Sequence, residues 1–301
     1  MQTLDTPWQD WIRDNLARGC SHDAMLKDMV KAGIPERSAA FNLAAHSTLG
    51  GQLAAPRTIS SSSSAAAKPN ATTSQVAPSD VFVQEASHLF QYENALITRD
   101  GQVMQIAMRM ASPDVVLLDN FMTHAECDAL CELSKDSLTT STVVDDATGS
   151  NVGHAERTSQ GTYFPVGQNA LVRTIEARIS EITGTPIVNG EGLQILNYID
   201  GGEYRPHFDY FPDNDGGRVH TAQSGQRIIT IVMYLNNVTA GGATVFPSLN
   251  LSVYPKKGSA LYFSYFNSQG QVDPSTLHGG SPVIEGEKWI ATKWIREREY
   301  R

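Results

Sequence analysis

The sequence predicts a mainly β domain with flanking helices, an α+β architecture, preceded by a small three-helix domain. Three observations carry this reading. From Gly192 onward, short strand-like runs follow one another with no long helix between them, which favours antiparallel strands in a closed or sandwiched sheet. Residues 51–79 hold a run of serines at 60–64, alanines at 65–67 and scattered proline. That composition buries too little surface to order itself and reads as a linker. Ahead of the linker, helical periodicity recurs three times. The expected divisions are therefore 1–50, 51–79 and 80–301.

In the first division, Thr6-Pro7-Trp8-Gln9 offers an N-cap, a proline at the first helical position and a Gln three residues after the cap. Trp8, Trp11, Ile12 and Leu16 then share one helical face, and Gly19 ends the helix. Ser21 caps a second helix with Met25, Leu26, Met29 and Val30 inward and Gly33 as its stop. Pro35 opens a third, running to about Gly50. A unit of about 45 residues builds only a marginal core, so this one is expected to lean on a partner. Docking of a partner and self-association are the two readings.

In the larger division, residues 115–118 read as a strand and Thr123 as the cap of a helix to about 133. Residues 140–160 are polar and rich in Thr, Ser, Asp and Gly, as in a mobile loop. A helix is expected over 168–183. Strands are expected over 193–199 and 203–211, on either side of the turn signal Asp200-Gly201-Gly202. Residues 227–235 are apolar after the first except for Thr230, the mark of a strand buried on both faces. Residues 260–266 and 288–295 complete the set.

The net charge of −9 argues against a nucleic-acid partner, which needs a basic surface to displace counterions. No run approaches the roughly 18 apolar residues of a membrane span. The first eleven residues carry Asp5 and Asp10 rather than a basic, apolar leader. Three cysteines, Cys20, Cys127 and Cys131, suit a reducing compartment. A cytoplasmic location is the expectation. Cys127 and Cys131 share a helical face, but no further cysteine joins them to hold a metal, and they read as small buried side chains.

The chemistry-bearing constellation is His207-Phe208-Asp209 with His278 some seventy residues on. Residues two apart in a strand point to one face. His207 and Asp209 can thus offer an imidazole and a carboxylate to one ion, and His278 a second imidazole. Two His and one carboxylate on one side of a metal leave three positions open, the facial triad of non-haem iron(II) oxygenases. Zinc with the same ligands would leave a site for a polarised water. H-x-D alone is a weak signal, and His154-Ala155-Glu156 is a decoy of the same form. Ten residues after His278, Lys288 opens the final strand and shares a face with Ile290, Thr292 and Trp294. If that face lines a barrel, a buried ammonium must meet an anion. If it is solvated, Lys288 is an ordinary strand-end lysine.

Several blocks in fixed order resemble the catalytic domain of prolyl 4-hydroxylases over about residues 112–298. They are Leu193-Gln194-Ile195-Leu196-Asn197-Tyr198 through Tyr204-Arg205-Pro206-His207-Phe208-Asp209-Tyr210-Phe211, then Arg227-Ile228-Ile229-Thr230 through Leu235-Asn236. Gly241-Gly242-Ala243-Thr244-Val245-Phe246-Pro247, Lys257-Gly258-Ser259-Ala260-Leu261, His278-Gly279-Gly280-Ser281-Pro282-Val283 and Gly286-Glu287-Lys288-Trp289 follow. The resemblance implies a double-stranded β-helix, or jelly-roll, core. It implies iron(II) on His207, Asp209 and His278, and 2-oxoglutarate with its distal carboxylate on Lys288, helped by Tyr198 and Thr244. Tyr204, Arg227 and Trp294 match positions that contact the peptide, and Arg157 falls in a substrate-side loop expected to close over it. The implied reaction hydroxylates prolyl residues at C4, consumes O2, and yields succinate and CO2, with L-ascorbate as reductant. The family often has His-Ala-Gly-Cys where this chain has His278-Gly279-Gly280-Ser281, which alters packing behind the metal and not ligation. Two alternatives stay open on this scaffold: a hydroxylase of a free amino acid or small molecule, and a peptide-binding module without turnover. Retention of His207, Asp209, His278 and Lys288 together speaks against the last.

Overall fold

The computed structural model describes residues 8, 12, 22–31, 34, 39, 43, 82–141, 143–144, 151–152 and 158–301. The chain divides into two compact units, Met1–Ser74 and Gln75–Arg301. In the first, α1 (His22–Lys31) matches the second expected helix. Trp8, Ile12, Ala39 and Leu43 also have helical backbone. Ile12, Met25, Met29, Ile34, Ala39 and Leu43 form one buried cluster. The rest of the three expected helices, and the expected linker, lie outside the described residues.

In the second unit, strands β1 (Ala95–Ile97), β2 (Val103–Ala111) and β3 (Asp114–Asp119) lead to helix α2 (His124–Ser134). Thr123 caps α2 as the sequence indicates, and Glu126 reaches back to the cap backbone to close the box. Then come β4 (Thr139–Thr140), β5 (Val143–Val144), β6 (Asn151–Val152), β7 (Gln160–Phe164) and helix α3 (Ala170–Thr183). The side chain of Asn169 caps α3 at one end, and Gly184, at φ 69°, closes the other. Next are β8 (Leu193–Tyr198), β9 (Tyr204–His207), helix α4 (Asp215–Ser224) and β10 (Arg227–Tyr234). β11 (Ala240–Gly241), β12 (Thr244–Phe246), β13 (Leu251–Val253), β14 (Ala260–Ser264), β15 (His278–Gly280), β16 (Val283–Glu285) and β17 (Lys288–Arg296) complete the chain.

A nine-stranded sheet has the order β1-β2-β3-β14-β10-β17-β8-β7-β4, and a four-stranded sheet the order β13-β12-β15-β9. Every strand pair among the described residues is antiparallel. The residue pattern predicts such antiparallel, sandwiched strands, and the resemblance implies this jelly-roll arrangement. Alternation along the central strands separates two cores. Ile231 and Met233 of β10, Ile195 of β8 and Ala291 and Ile295 of β17 pack with Cys127 and Leu130 of α2 and Ile175, Ile179 and Ile182 of α3. Val232, Tyr234, Leu196, Tyr198 and Ile290 turn the other way, towards Phe246, Leu261, Phe263 and Tyr265. The second face belongs to the interior between the sheets.

Three charged residues, Lys293, Glu176 and Arg178, are buried on the helix side. Lys293 Nζ meets Glu176 Oε1 of α3 at 2.6 Å, each side chain 1 % exposed. Arg178 of α3 joins Asp100 at 2.6 Å and Glu126 of α2 at 2.9 Å. Removing one member of a buried pair strands the other charge in an apolar site. Lys293→Ala is accordingly expected to destabilise the fold by about 3–5 kcal/mol, read as a lowered urea midpoint.

Three local readings change. The segment 140–160, expected as one loop, carries the short β5–β6 pair and the start of β7. The expected strand 203–211 stops at His207 because its partner β15 begins at His278, opposite His207. Phe211 is held instead by the Gln226 side chain, which accepts from its N–H and donates to its carbonyl, both at 2.8 Å. Helix α4 lies between the expected strands, where no element is expected from the sequence; the Asn214 side chain caps it. Gly217 is required there by a close approach: a Cβ would lie 1.9 Å from the carbonyl oxygen of Pro212.

Candidate active site

The constellation expected to hold a metal assembles across the four-stranded sheet. His207 and His278 are direct cross-strand partners in β9 and β15, with ring centroids 4.5 Å apart. Tyr204 stacks on His207 at 3.7 Å, and Phe263 meets His278 edge-on at 4.6 Å. Asp209 lies just past the end of β9 and is 6 % exposed. Its Oδ1 is 3.6 Å from His207 Nε2 and its Oδ2 is 3.4 Å from His278 Nε2. One ligand atom from each of the three lies within 4.8 Å of the others, the one such group among the described residues.

The donor set fits a divalent cation by its protonation. His207 Nδ1 sits 2.9 Å from the Arg205 carbonyl, and His278 Nδ1 sits 3.0 Å from the Thr276 carbonyl. A carbonyl only accepts, so each Nδ1 carries the proton and each Nε2 offers a lone pair. Burial holds the His207 imidazole below its usual pKa, and His278 beside it adds to the effect. Burial would raise Asp209, but the facing His278 and His207 imidazoles overcome it and hold the carboxyl well below the usual range. Two neutral imidazoles and one carboxylate are the forms that bind a metal.

Lys288 shows what stands beside the triad. It is 3 % exposed, opposite Tyr198 in the β17–β8 register, with Nζ 5.6 Å from the Tyr198 ring centroid. It has no hydrogen bond or ion pair among the described residues. Burial alone pushes its pKa down to about 8. Tyr198, Thr244, His207, Asp209, His278 and Lys288 line one cleft of about 430 Å³, its open mouth included. Thr244 Oγ1 accepts from Tyr234 OH at 2.8 Å. Gly242 and Gly280 flank the lysine, with room for a Cβ only at 3.4 Å from Cδ and 3.7 Å from Nζ. A free buried ammonium at the end of a cleft is a receptor for a carboxylate.

Tyr204 and Trp294 also line the cleft, and the indole N–H of Trp294 is buried without an acceptor among the described residues. Arg227 does not face the cleft freely. Its Nε and Nη2 donate to the two carboxylate oxygens of Glu191 at 2.7 and 2.8 Å. Its guanidinium lies 4.0 Å over Trp294 and 4.8 Å over Phe211. Arg227 thus buttresses Trp294. Arg157, with the decoy His154 and Glu156, falls outside the described residues. The sequence reading missed Glu191, which also binds Arg296 at 3.0 Å, and Thr230, whose hydroxyl donates to Asp209 Oδ2 at 2.7 Å. Thr230 had a signal, as the one polar residue inside an apolar run. Glu191 had none.

Comparison with known proteins agrees with this geometry. The 2OG-Fe(II) oxygenase superfamily model matches residues 193–296. Prolyl 4-hydroxylase 5 of Arabidopsis thaliana is 43 % identical over 208 residues, covering 63 % of this chain and 70 % of the relative. Prolyl 4-hydroxylase 2 of the same plant is 39 % identical over 236 residues, covering 71 % and 76 %. A viral collagen prolyl hydroxylase from Paramecium Bursaria Chlorella virus-1, solved as a 2OG complex, is 28 % identical over 60 % of this chain and 95 % of its own, with a TM-score of 0.49. At these identities over most of the plant relatives' length, with triad and cleft in place, the chain belongs to the prolyl 4-hydroxylase family of 2OG-Fe(II) oxygenases.

Proposed function

We propose that this enzyme hydroxylates prolyl residues of a protein or peptide at C4, with iron(II), 2-oxoglutarate and O2. One observation carries the reading: the buried, unpaired Lys288 shares a cleft with His207, Asp209 and His278. Only a cosubstrate that brings both a chelating group and a distant carboxylate uses both ends of that cleft. His207 Nε2, the Asp209 carboxylate and His278 Nε2 would hold the iron. When bound, iron and the keto acid supply an oxidant from O2, with succinate and CO2 as co-products.

The protein's own part is binding and orientation. Lys288 anchors the distal carboxylate, with Tyr198 and Thr244 beside it. Leu196, Val232 and Ile290 make the cleft wall apolar, which limits water around a reactive centre. Tyr204 and Trp294 support the peptide reading, since an orphan indole N–H suits a carbonyl of the substrate backbone. Arg227 keeps Trp294 in place from behind, and Arg157 is proposed as a contact from the adjoining loop. L-ascorbate as reductant rests on family membership alone. The free thiols of Cys127 and Cys131 support a reducing, cytoplasmic setting. The N-terminal unit is proposed to dock the protein substrate or to self-associate.

The deciding experiment follows succinate with iron(II) and 2-oxoglutarate, with and without proline-containing peptides, alongside peptide mass. Peptide-dependent succinate, matched by one added oxygen on proline, is expected. Turnover on free amino acids alone would overturn the peptide reading.

The buried lysine also sets a pH dependence. Lys288 binds a carboxylate in its protonated form, and its pKa is about 8 against an ordinary 10.5. Affinity for 2-oxoglutarate is expected to be level below pH 8 and to fall about tenfold per unit above it. Between about 8 and 10.5 the unfolded chain binds more protons at this position than the folded one. The lysine's contribution to stability is therefore present above 10.5 and lost as pH falls through about 8. Stabilisation by 2-oxoglutarate should accordingly be larger at pH 7 than at pH 9.5, as measured by thermal shift. Equal shifts would contradict this.

A further inference from the structure

Asp209 stands outside the strand ladder that fixes the two histidines, since β9 ends at His207. A metal-binding carboxylate on a bend still needs a fixed orientation. The structure supplies it from another sheet. Thr230 lies on β10, between β14 and β17 in the nine-stranded sheet, and is fully buried. Its Oγ1 is 2.7 Å from Asp209 Oδ2 and 3.0 Å from Tyr265 OH. The directions are set by chemistry. An ionised carboxylate only accepts, so Thr230 donates to Asp209. Burial, and then the nearby Asp209 charge, hold the Tyr265 phenol well above its usual pKa, so it keeps its proton. Tyr265 has no other acceptor among the described residues and donates to Thr230. The same strand takes hold of Asp209 at its backbone, where Arg227 Nη1 donates to the carbonyl at 3.3 Å.

We infer that Thr230 is the positioning residue for the metal-binding carboxylate. The relay Tyr265 to Thr230 to Asp209 occupies Oδ2 and presents Oδ1 as a single-oxygen ligand. It fixes this loop carboxylate to the rigid large sheet, while the histidines ride on the small one. The inference rests on the reading of His207, Asp209 and His278 as the metal site. Partners behind a ligand that fix its orientation typically govern metal affinity by about 10- to 100-fold.

The test uses the full chain and Mn(II), a redox-silent probe whose binding is read by electron paramagnetic resonance. Thr230→Val keeps the shape and removes the hydroxyl. Its Mn(II) Kd is expected to rise about 10- to 100-fold, and Thr230→Ser is expected to restore most of that loss. A merely structural role for the threonine would not be rescued through the hydroxyl. Tyr265→Phe keeps Thr230 and removes its donor, and should weaken Mn(II) binding less than Thr230→Val does. This second variant carries the test if Thr230→Val does not fold by circular dichroism. Mn(II) affinity unchanged in Tyr265→Phe and in folded Thr230→Val would overturn the inference while leaving the metal site intact. Failure of the unaltered protein to bind Mn(II) at all would instead overturn the metal-site reading beneath it.

Discussion

His278→Ala is expected to abolish hydroxylation and to take metal binding from one ion per chain to none. The imidazole at this position faces His207 across β15 and β9 and reaches Asp209 Oδ2 at 3.4 Å. Without it, two ligands remain, two residues apart on one short strand and its extension, too few to hold a ferrous ion against water. Chemistry that depends wholly on the ion then loses the whole enzymatic enhancement, at least about 10⁶-fold. Equilibrium dialysis of Mn(II) against the variant, with circular dichroism to show that the jelly roll is intact, separates this from unfolding. A variant that kept one bound ion and measurable turnover would remove His278 from the site.

Lys288→Met should have the second largest effect, with opposite signs on binding and on stability. Truncating one member of a buried charge pair costs about 2–5 kcal/mol. The Michaelis constant for 2-oxoglutarate should therefore rise by about 30-fold to several thousandfold, with little change in affinity for Mn(II). In the protein without cosubstrate the same substitution removes an unpaired buried ammonium. A pKa held at about 8 against 10.5 corresponds to a cost of about 3 kcal/mol at neutral pH. The variant should accordingly resist urea better than the parent while binding 2-oxoglutarate far worse. Paired urea and initial-rate measurements check both signs. A variant both less stable and unimpaired in cosubstrate binding would show Lys288 to be structural.

The sheet architecture was legible because strand-like runs follow one another from Gly192 onward, and because burial on both faces of β10 leaves an apolar run. The parity that sets Lys288, Ile290, Thr292 and Trp294 on one face holds in the structure. All four line the cleft beside Asp209 and His278. Helices α2 and α3 were legible too, the first by its cap Thr123, a short-range feature. What was not legible depends on long-range pairing. The end of β9 at His207 is fixed by where β15 begins, seventy residues away, and no local pattern encodes it. The turn at Asp200-Gly201-Gly202 was visible. It passes the chain from β8, paired with β17 and β7, to β9, paired with β15, and neither partner follows from the turn residues. The commitment of Arg227 to Glu191 likewise needs two distant segments to meet.

The most direct test of the account is a crystal grown without oxygen in the presence of Mn(II) and 2-oxoglutarate, with anomalous scattering used to locate the metal. The account predicts one peak, bounded by His207 Nε2, the Asp209 carboxylate and His278 Nε2, with the distal carboxylate of the keto acid against Lys288 Nζ. A metal held elsewhere, or a lysine left without the carboxylate, would contradict it.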